Sequence, residues 1–416
     1  MHFINRNYKI VKNLTNIYTF QLKHNQRFYS FNERTVILGI ETSCDDTGVA
    51  IVTGSGNILG DSLYSQNAIH TRLGGVNPLF ARDLHRKNID LAVNEALKKA
   101  DLKIQNVDYV AVTVKPGLLV SLQIGVKYAK YLSKIYNKPL IPIHHMEAHA
   151  LVARMYHNID FPFLALLISG GHCLLTVVQN VNDFLLLGNS LDNAPGEVMD
   201  KAARRMKLRN IPIFSEIAGG RAIEIAAQYS KNSVLFEFAT PLLKNRDCNF
   251  SFSGVKDALI RQLEKKEQEH NIRGDELIPE IYDLCAAYQR VIAEHIAHRT
   301  ERALQYCLKN KLLNETSKSI IVSGGVACND FIFKGIEYIG SKLGCNVYRP
   351  PAKVCTDNGI MIAWNGVEKL RCQCPIETVT LDCIDPKAPL GTNIINDVKN
   401  ANIYIKVTQL KRFLLS

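Results

Sequence analysis

The chain has no apolar run approaching the ~18 residues that a membrane-spanning helix needs. Its strongest run, Phe161 to Ile168, stops at Ser169-Gly170-Gly171 and reads as a buried strand. The chain has no G-x₄-G-K-[ST] and no G-x-G-x-x-G, so neither a P-loop nor a Rossmann fingerprint is present. No C-x₂-C pair occurs among its eleven cysteines, whose odd number and scatter exclude a zinc ribbon or a disulfide framework. Cys372 and Cys374 form only a C-x-C, and most of the others sit in apolar surroundings, as reduced core thiols of a cytosolic or matrix protein do. No acid precedes Glu33. Residues 1–34 set Arg6, Lys9, Lys12, Lys23, Arg27 and Arg34 against that single carboxylate, a net of +5, interleaved with Ile, Leu, Val, Phe and Tyr. This pattern predicts a mitochondrial transit segment over 1–34, cleaved between about residues 20 and 34; a basic tail for RNA or membrane is the alternative. A secretory signal does not fit, because Lys and Arg interrupt every apolar stretch. The rest of the chain carries +6 of the total +11, a moderate excess compatible with an anionic partner such as nucleic acid.

What is present is ordinary globular composition, 47% hydrophobic and 21% charged, in 416 residues. That length is too great for one core and predicts two or three domains. Val36 to Val52 reads as strand, tight turn, strand, with Thr42-Ser-Cys-Asp45-Asp46-Thr47 in the turn. Two acids and three hydroxyls between apolar strands exceed what a turn needs, and such loops bind phosphates directly or through a metal. A helix is expected over 77–100, a strand over 109–114, a helix near 120–136 and a short strand over 139–143. Phe163 to Val178 repeats the opening device around Ser169-Gly-Gly171, a weak internal duplication that suggests two similar lobes. Helices are expected around Asp200 and from Gly219-Gly220, a strand over 249–254 ending at a helix, continuous helix over 255–312, and a third strand-into-glycine element at 320–329. Cys355-Thr-Asp-Asn-Gly359 opens a further helix, with Thr356 or Asp357 as its N-cap. Beyond Cys372 the signal fades, leaving 375–416 as a partly ordered tail, short strands or both. Alternating strands and helices imply a largely parallel sheet.

The stretch with most chemistry is His145-Met-Glu-Ala-His149. Histidines four apart share a helix face with Cβ atoms about 5–6 Å from each other, a reach from which two imidazoles hold one divalent metal. Glu147 lies at i+2, roughly 200° around the helix from His145, so it cannot be the general base of a zincin, whose Glu follows the first His directly. The basic run Lys201, Arg204, Arg205, Lys207, Arg209 reads as a solvated helix face or as a nucleic-acid backbone contact. His172 fits either a structural histidine or a base.

Gly170, Gly219/Gly220 and Gly324, read as glycine-rich strand ends of a two-lobed α/β chain, point to a nucleotide in a cleft between lobes, as in actin or hexokinase. "GIETSCDDTGVAIV", "HHMEAHALVAR", "LLISGGHCLL", "FSFSGVKDAL", "VSGGVACN" and "CTDNGIMIAW", in this order from Val36 to Trp364, resemble the bacterial-type, mitochondrial branch of the tRNA N6-adenosine threonylcarbamoyltransferases. The resemblance implies an actin/hexokinase-like (ASKHA) two-lobed α/β fold with its active site in the inter-lobe cleft. The lobes would be 35–155 and 156–370, and 371–416 an extension. It implies transfer of threonylcarbamoyl from threonylcarbamoyl-AMP, supplied by a separate synthase, to N6 of the adenosine 3′ of the anticodon in mitochondrial tRNAs reading codons that start with A. It implies one divalent metal, Fe²⁺ or Zn²⁺, on His145, His149 and Asp357. It implies adenylate contacts at Leu167, Ile168, Ser169, Gly170, Gly171, Asp200, Gly220, Glu224, Cys328, Asn329 and Thr356. Leu167 stands where a related branch has a tyrosine ligand, so no fourth side-chain ligand is expected. A homodimer in the matrix, without membrane association, completes the expectation. Asp45 and Asp46 are candidate bases. A nucleotide-binding scaffold without transfer chemistry and a metallopeptidase are the rival readings, and Asp357→Ala separates transferase from scaffold: transfer fails under the first, while nucleotide binding persists under the second.

Overall fold

The computed structural model describes residues 31–73, 75–376, 378–406 and 410, so the greater part of the expected transit segment lies outside the described residues. A hairpin of β1 (Val36–Glu41) and β2 (Asp46–Thr53) opens the chain, followed by β3 (Ile58–Ser65), α1 (Asn67–Leu73), α2 (Pro78–Lys99), β4 (Tyr109–Lys115), α3 (Leu119–Tyr136) and β5 (Leu140–His144). Helix α4 (His145–Leu151) leads to a second set: β6 (Phe163–Ile168), β7 (Cys173–Asn180), β8 (Asp183–Asn189), α5 (Pro195–Arg205), α6 (Gly219–Ala227), α7 (Ser253–Glu269), α8 (Ile281–Lys309), β9 (Ser319–Ser323), α9 (Asp330–Lys342) and β10 (Asn346–Tyr348). Then come α10 (Ala352–Cys355), α11 (Gly359–Arg371), β11 (Thr392–Asn393) and α12 (Ile395–Asn400).

The strands form two sheets, ordered β3-β2-β1-β4-β5 and β10-β9-β6-β7-β8-β11. In the first, β1–β2 and β2–β3 are antiparallel while β1–β4 and β4–β5 are parallel. In the second, β6–β7 and β7–β8 are antiparallel while β6–β9 and β9–β10 are parallel. Strand for strand, β6 to β10 repeat β1 to β5, so the weak duplication in the sequence is a repeated topology. The sheets are mixed rather than largely parallel. The turns 42–45 and 169–172 are too short for anything but antiparallel return, and only helical crossovers deliver parallel partners.

Alternation places the two faces of β1 in different layers. Leu38 and Ile40 pack with Ile89 and Val93 of α2 and Val126 and Leu132 of α3. Ile37 packs with Met361, Ala363 and Val367 of α11 on the other face. The His helix lies between the two sheets: Ala148 joins the α11 layer, while Met146, Ala150 and Leu151 join Phe163, Ala165 and Leu167 of β6. Helix α11 reaches the first sheet because glycine removes the spacing: a Cβ at Gly39 would lie 2.3 Å from the Gly359 carbonyl oxygen and 2.4 Å from Ala363 N. The sole tryptophan, Trp364, is buried on α11 and donates its Nε1–H to the Leu151 carbonyl of α4 at 3.2 Å.

Two local expectations change. The helix expected over 255–312 breaks at 270–280, where Asn271 (φ 52) and Gly274 (φ 56) take left-handed backbone and Pro279 follows. The strand expected over 249–254 is a single bridge, Ser190 to Phe250, with Phe250 and Phe252 buried. Beyond it, Arg299 and Arg302 of α8 donate to the Asp247 carbonyl at 2.9 and 2.8 Å, which pins the irregular segment before α7. The tail holds short ordered elements, with β11 beside β8 and Gly117 N–H bonded to the Pro386 carbonyl at 3.2 Å. Of the eleven thiols, all free, six are buried. Among the described residues no helix is long and apolar enough to cross a membrane.

Candidate active site

Strand β5 runs straight into α4, so His145 occupies the first helical turn, with His144 as N-cap accepting from Met146 N–H at 3.2 Å. His149 follows one turn later, its ring 4.7 Å from that of His145 at 87°. Asp357 comes from the turn between α10 and α11. The cap of α11 is Asn358, not Thr356 or Asp357: its Oδ1 accepts from Met361 N–H at 2.9 Å, and its Nδ2 donates to the Val354 and Thr356 carbonyls. Capping thus leaves the Asp357 carboxylate uncommitted. Its Oδ1 lies 3.0 Å from His149 Nε2 and 3.5 Å from His145 Nε2. The three candidate ligand atoms fall within 4.8 Å of one another. Both imidazoles are buried while the Asp357 side chain is 24% exposed, so the group opens on one side. Two Nε2 atoms and one carboxylate oxygen converging from separate elements suit a divalent cation.

One member of the site escaped sequence reasoning. Glu41, fully buried at the end of β1, places Oε2 3.1 Å from His145 Nδ1 and accepts from the Thr113 hydroxyl at 2.6 Å, while Oε1 accepts from Ser43 N–H. Ser43 Oγ lies 3.2 Å from the same His145 Nδ1. The available signal was a carboxylate closing an otherwise apolar strand, a group that burial tolerates only with partners. Burial opposes every charge here, but the opposite signs win. Glu41 and Asp357 raise the His145 pKa to about 9. His145 in turn holds Glu41 low, and His145 with His149 holds Asp357 far below the usual carboxylate range. His172, its ring 6.4 Å from that of His145, is pushed down to about 4 by burial and then by His145. Burial raises Asp46 to about 7, with Asp357 and Asp45 adding to it against bonds from Ser65 and Gln66. Asp46 Oδ1 is buried without a hydrogen-bond partner among the described residues. Glu147 pairs with Lys369 Nζ at 3.3 Å.

The residues expected at an adenylate form a connected rim. Ser169 Oγ accepts from Gly171 and His172 N–H, folding a tight turn. A Cβ on Gly170 or Gly171 would meet nothing within 4 Å, so the fold itself does not require glycine at either position. Gly324 differs, with φ 101 and the Ile168 carbonyl oxygen 2.3 Å from a Cβ built there. Gly325 faces Thr356, and Gly196 N–H bonds the Ser169 carbonyl. Gly219-Gly220 is not a strand end but the start of α6, where Asp200 Oδ1 accepts from Gly220 N–H at 3.0 Å. Glu224 is buried and accepts from Asp330 N–H at 2.7 Å and from Arg221. Asn329 caps α9 through Ile332 N–H and donates to Gln289. Leu167 and Ile168 send their side chains into the core, which leaves only backbone for a ligand. The Cys328 thiol donates to the Ala352 carbonyl at 4.0 Å and the Cys355 thiol to the Pro350 carbonyl at 3.2 Å. The basic run is largely spent inside the lobe: Lys201 bonds Glu197, Arg205 forks onto Glu267, and Lys207 bonds the Gly274 carbonyl.

Comparison with known proteins gives the chain's family. The family model described as TsaD, tRNA N6-adenosine threonylcarbamoyltransferase, matches residues 57–364. The Danio rerio protein named mitochondrial tRNA N6-adenosine threonylcarbamoyltransferase is 46% identical over 377 residues, covering 90% of this chain and 93% of its own. Its Homo sapiens namesake is 44% identical, covering 90% of each chain. A Wolbachia tRNA N6-adenosine threonylcarbamoyltransferase is 36% identical over 80% of this chain and 93% of its own. Among solved structures, T. kodakarensis HypF superposes with a TM-score of 0.50 at 13% identity, over 83% of this chain and 48% of that one, a likeness of actin/hexokinase-like fold alone. The chain belongs to the tRNA N6-adenosine threonylcarbamoyltransferase family.

Proposed function

We propose that the chain transfers the threonylcarbamoyl group of threonylcarbamoyl-AMP to N6 of the adenosine 3′ of the anticodon, position 37, in mitochondrial tRNAs that read codons starting with A. The observation that carries this reading is the convergence of His145 and His149 of α4 with Asp357 of the α10–α11 turn, one ligand atom from each within 4.8 Å of the others, together with a glycine turn that has open space at Gly170 and Gly171. His145, His149 and Asp357 would hold one Fe²⁺ or Zn²⁺, a donor set of two imidazoles and a carboxylate that suits either ion. When bound, such an ion polarises a carbonyl or phosphate oxygen as a Lewis acid. The chain's own residues do the rest. The backbone at Gly170 and Gly171 admits the phosphate of the adenylate closely, because no side chain stands between. Asp200, Gly220, Glu224, Cys328, Asn329 and Thr356 line the nucleoside end, Glu224 and Asn329 chiefly by fixing the backbone of the 324–330 turn. An adenine amine is a weak nucleophile, so holding it against the carbamoyl carbon supplies much of the rate. Asp45 and Asp46, where the turn after β1 enters β2, are the candidate acceptors of the proton that this amine loses, Asp46 with its carboxyl raised to about 7 by burial.

The basic pattern of residues 1–34, free of acids before Glu33, and the mitochondrial names of the relatives support a matrix protein. The lobes are taken as 35–155 and 156–370, with 371–416 as an extension. Threonylcarbamoyl-AMP comes from a separate synthase. The chain works as a homodimer, for which the exposed Ile69, Leu73, Leu79 and Phe80 offer an apolar surface. The test is direct: full-length chain, threonylcarbamoyl-AMP and unmodified tRNA are incubated, and digested nucleosides are read by mass spectrometry. Threonylcarbamoyladenosine from the parent chain and none from Asp357→Ala is the expected result; equal product from both removes Asp357 from the mechanism.

A further inference from the structure

Glu41 belongs to no step above, yet it is the most completely buried acid beside the histidines. Its position follows from topology. The parallel order β1-β4-β5 aligns the carboxyl ends of three strands, so Glu41 at the end of β1, Thr113 on β4 and His145 just after β5 meet in one plane. Three groups bond this carboxylate: Ser43 N–H and the Thr113 hydroxyl donate to it at 2.5 and 2.6 Å, and His145 Nδ1 lies 3.1 Å away. An ionised carboxylate only accepts, so the hydrogen of a neutral His145 ring must sit on Nδ1. Nε2 then keeps its lone pair, on the side facing Asp357 at 3.5 Å. His149 has no counterpart: its Nδ1 is buried without a hydrogen-bond partner among the described residues. The two histidines are therefore unequal, one oriented in advance and the other held only through Nε2.

We infer that Glu41 is a positioning residue, whose carboxylate fixes the tautomer and ring plane of His145 so that Nε2 presents a lone pair to the divalent ion shared with His149 and Asp357. This rests on the proposed reading of that cluster as a metal site. Partners of this kind on a ligating histidine change metal affinity by about 10–100-fold. A glutamine cannot replace the glutamate here. Its amide must turn N–H₂ either toward Ser43 N–H, donor against donor, or toward the Thr113 hydroxyl and His145 Nδ1 together, and the second choice moves the ring hydrogen to Nε2.

The experiment titrates Co²⁺ into metal-free full-length chain and follows the visible ligand-field bands, for the parent, Glu41→Gln, Glu41→Asp and Asp357→Ala. In parallel, ¹⁵N shifts of the histidine rings in the Zn²⁺-loaded chain, where a ligating ring is neutral, report the tautomer of His145. The expected result is an affinity about 10–100-fold weaker for Glu41→Gln, with the Nδ1–H signature lost, and partial recovery in Glu41→Asp, which keeps the acceptor. Parent affinity in a folded Glu41→Gln overturns the inference while leaving the metal site standing, provided Asp357→Ala loses Co²⁺. No Co²⁺ binding by the parent overturns both. Should Glu41→Gln not fold, Thr113→Val removes one restraint on the carboxylate without adding a donor. Severalfold weaker Co²⁺ binding supports the inference there, and unchanged binding overturns it.

Discussion

Gly39→Ala is the substitution that best tests how the fold places Asp357. Residue 39 is in the middle of β1, far along the sequence from Asp357, and its backbone is ordinary strand, so alanine brings no local strain. The added Cβ, however, would meet the Gly359 carbonyl oxygen at 2.3 Å and Ala363 N at 2.4 Å, against ordinary contacts of 3.4 Å or more. Neither atom is the end of a flexible side chain, so α11 must retreat by about 1 Å, and overpacking of this kind costs about 1–3 kcal/mol. Helix α11 starts two residues after Asp357, whose contact with His149 is 3.0 Å. A displacement of about 1 Å at a reacting centre costs on the order of 100-fold in rate. Trp364 supplies the readout, since it is the only tryptophan and bonds α11 to Leu151 of the His helix. Urea unfolding of Gly39→Ala should show the loss of about 1–3 kcal/mol, native tryptophan emission should shift to the red, and Co²⁺ affinity and transfer should fall together. A Gly39→Ala chain with parent emission, parent Co²⁺ affinity and parent transfer would refute the argument that glycine contacts set the position of Asp357.

Gly170→Ala is expected to do the opposite. The new Cβ meets nothing within 4 Å, so stability should stay within about 0.5 kcal/mol, while KM for threonylcarbamoyl-AMP rises at least tenfold in steady-state assays. Asp46→Asn should reveal a pH-dependent strain. The folded carboxyl, raised by burial to about 7 from 3.8, keeps a proton that the unfolded chain has released, so parent stability falls as pH rises between those values. The asparagine variant should therefore be more stable by about 2–4 kcal/mol at pH 8, with the advantage gone near pH 4 in urea titrations; a difference independent of pH would contradict the assignment. Arg299→Ala removes a fully buried guanidinium that donates to the carbonyls of Asn245 and Asp247, and chemical denaturation should show a loss of about 3–5 kcal/mol.

Much of this architecture is legible in the residues because periodicity and turn chemistry are local. The two apolar strand pairs around Glu41 to Asp46 and Ser169 to His172 declare the duplicated hairpins, and the i, i+4 histidines declare one helix face. Other features depend on which layer a segment meets, which no local pattern encodes. The apolar face of 359–371 does not say that its partner is the strand pair 36–53 rather than the adjacent second sheet; Gly39, Gly48 and Gly359 make that choice through close approach. Thr356, Asp357 and Asn358 are all competent N-caps. Asn358 takes the role because its amide also bonds two carbonyls of the α10 turn, and Asp357 is thereby left for the histidines. The run from Lys201 to Arg209 looks like a nucleic-acid surface until Glu267 and the 274–276 backbone, some sixty residues later, return to meet it. Glu41 is the instructive case. A single carboxylate in an apolar strand carries no motif, yet the cost of burying it is itself a signal that partners must exist.

The central claim is that His145, His149 and Asp357 hold a divalent ion on which threonylcarbamoyl transfer depends. The most direct measurement is single-turnover transfer from threonylcarbamoyl-AMP to unmodified tRNA by the metal-stripped full-length chain, before and after one equivalent of Fe²⁺ or Zn²⁺. The account predicts no product from the stripped chain, restored product after the addition, and no restoration in Asp357→Ala or His149→Ala. Full product from the stripped chain, or restoration in either variant, would contradict it.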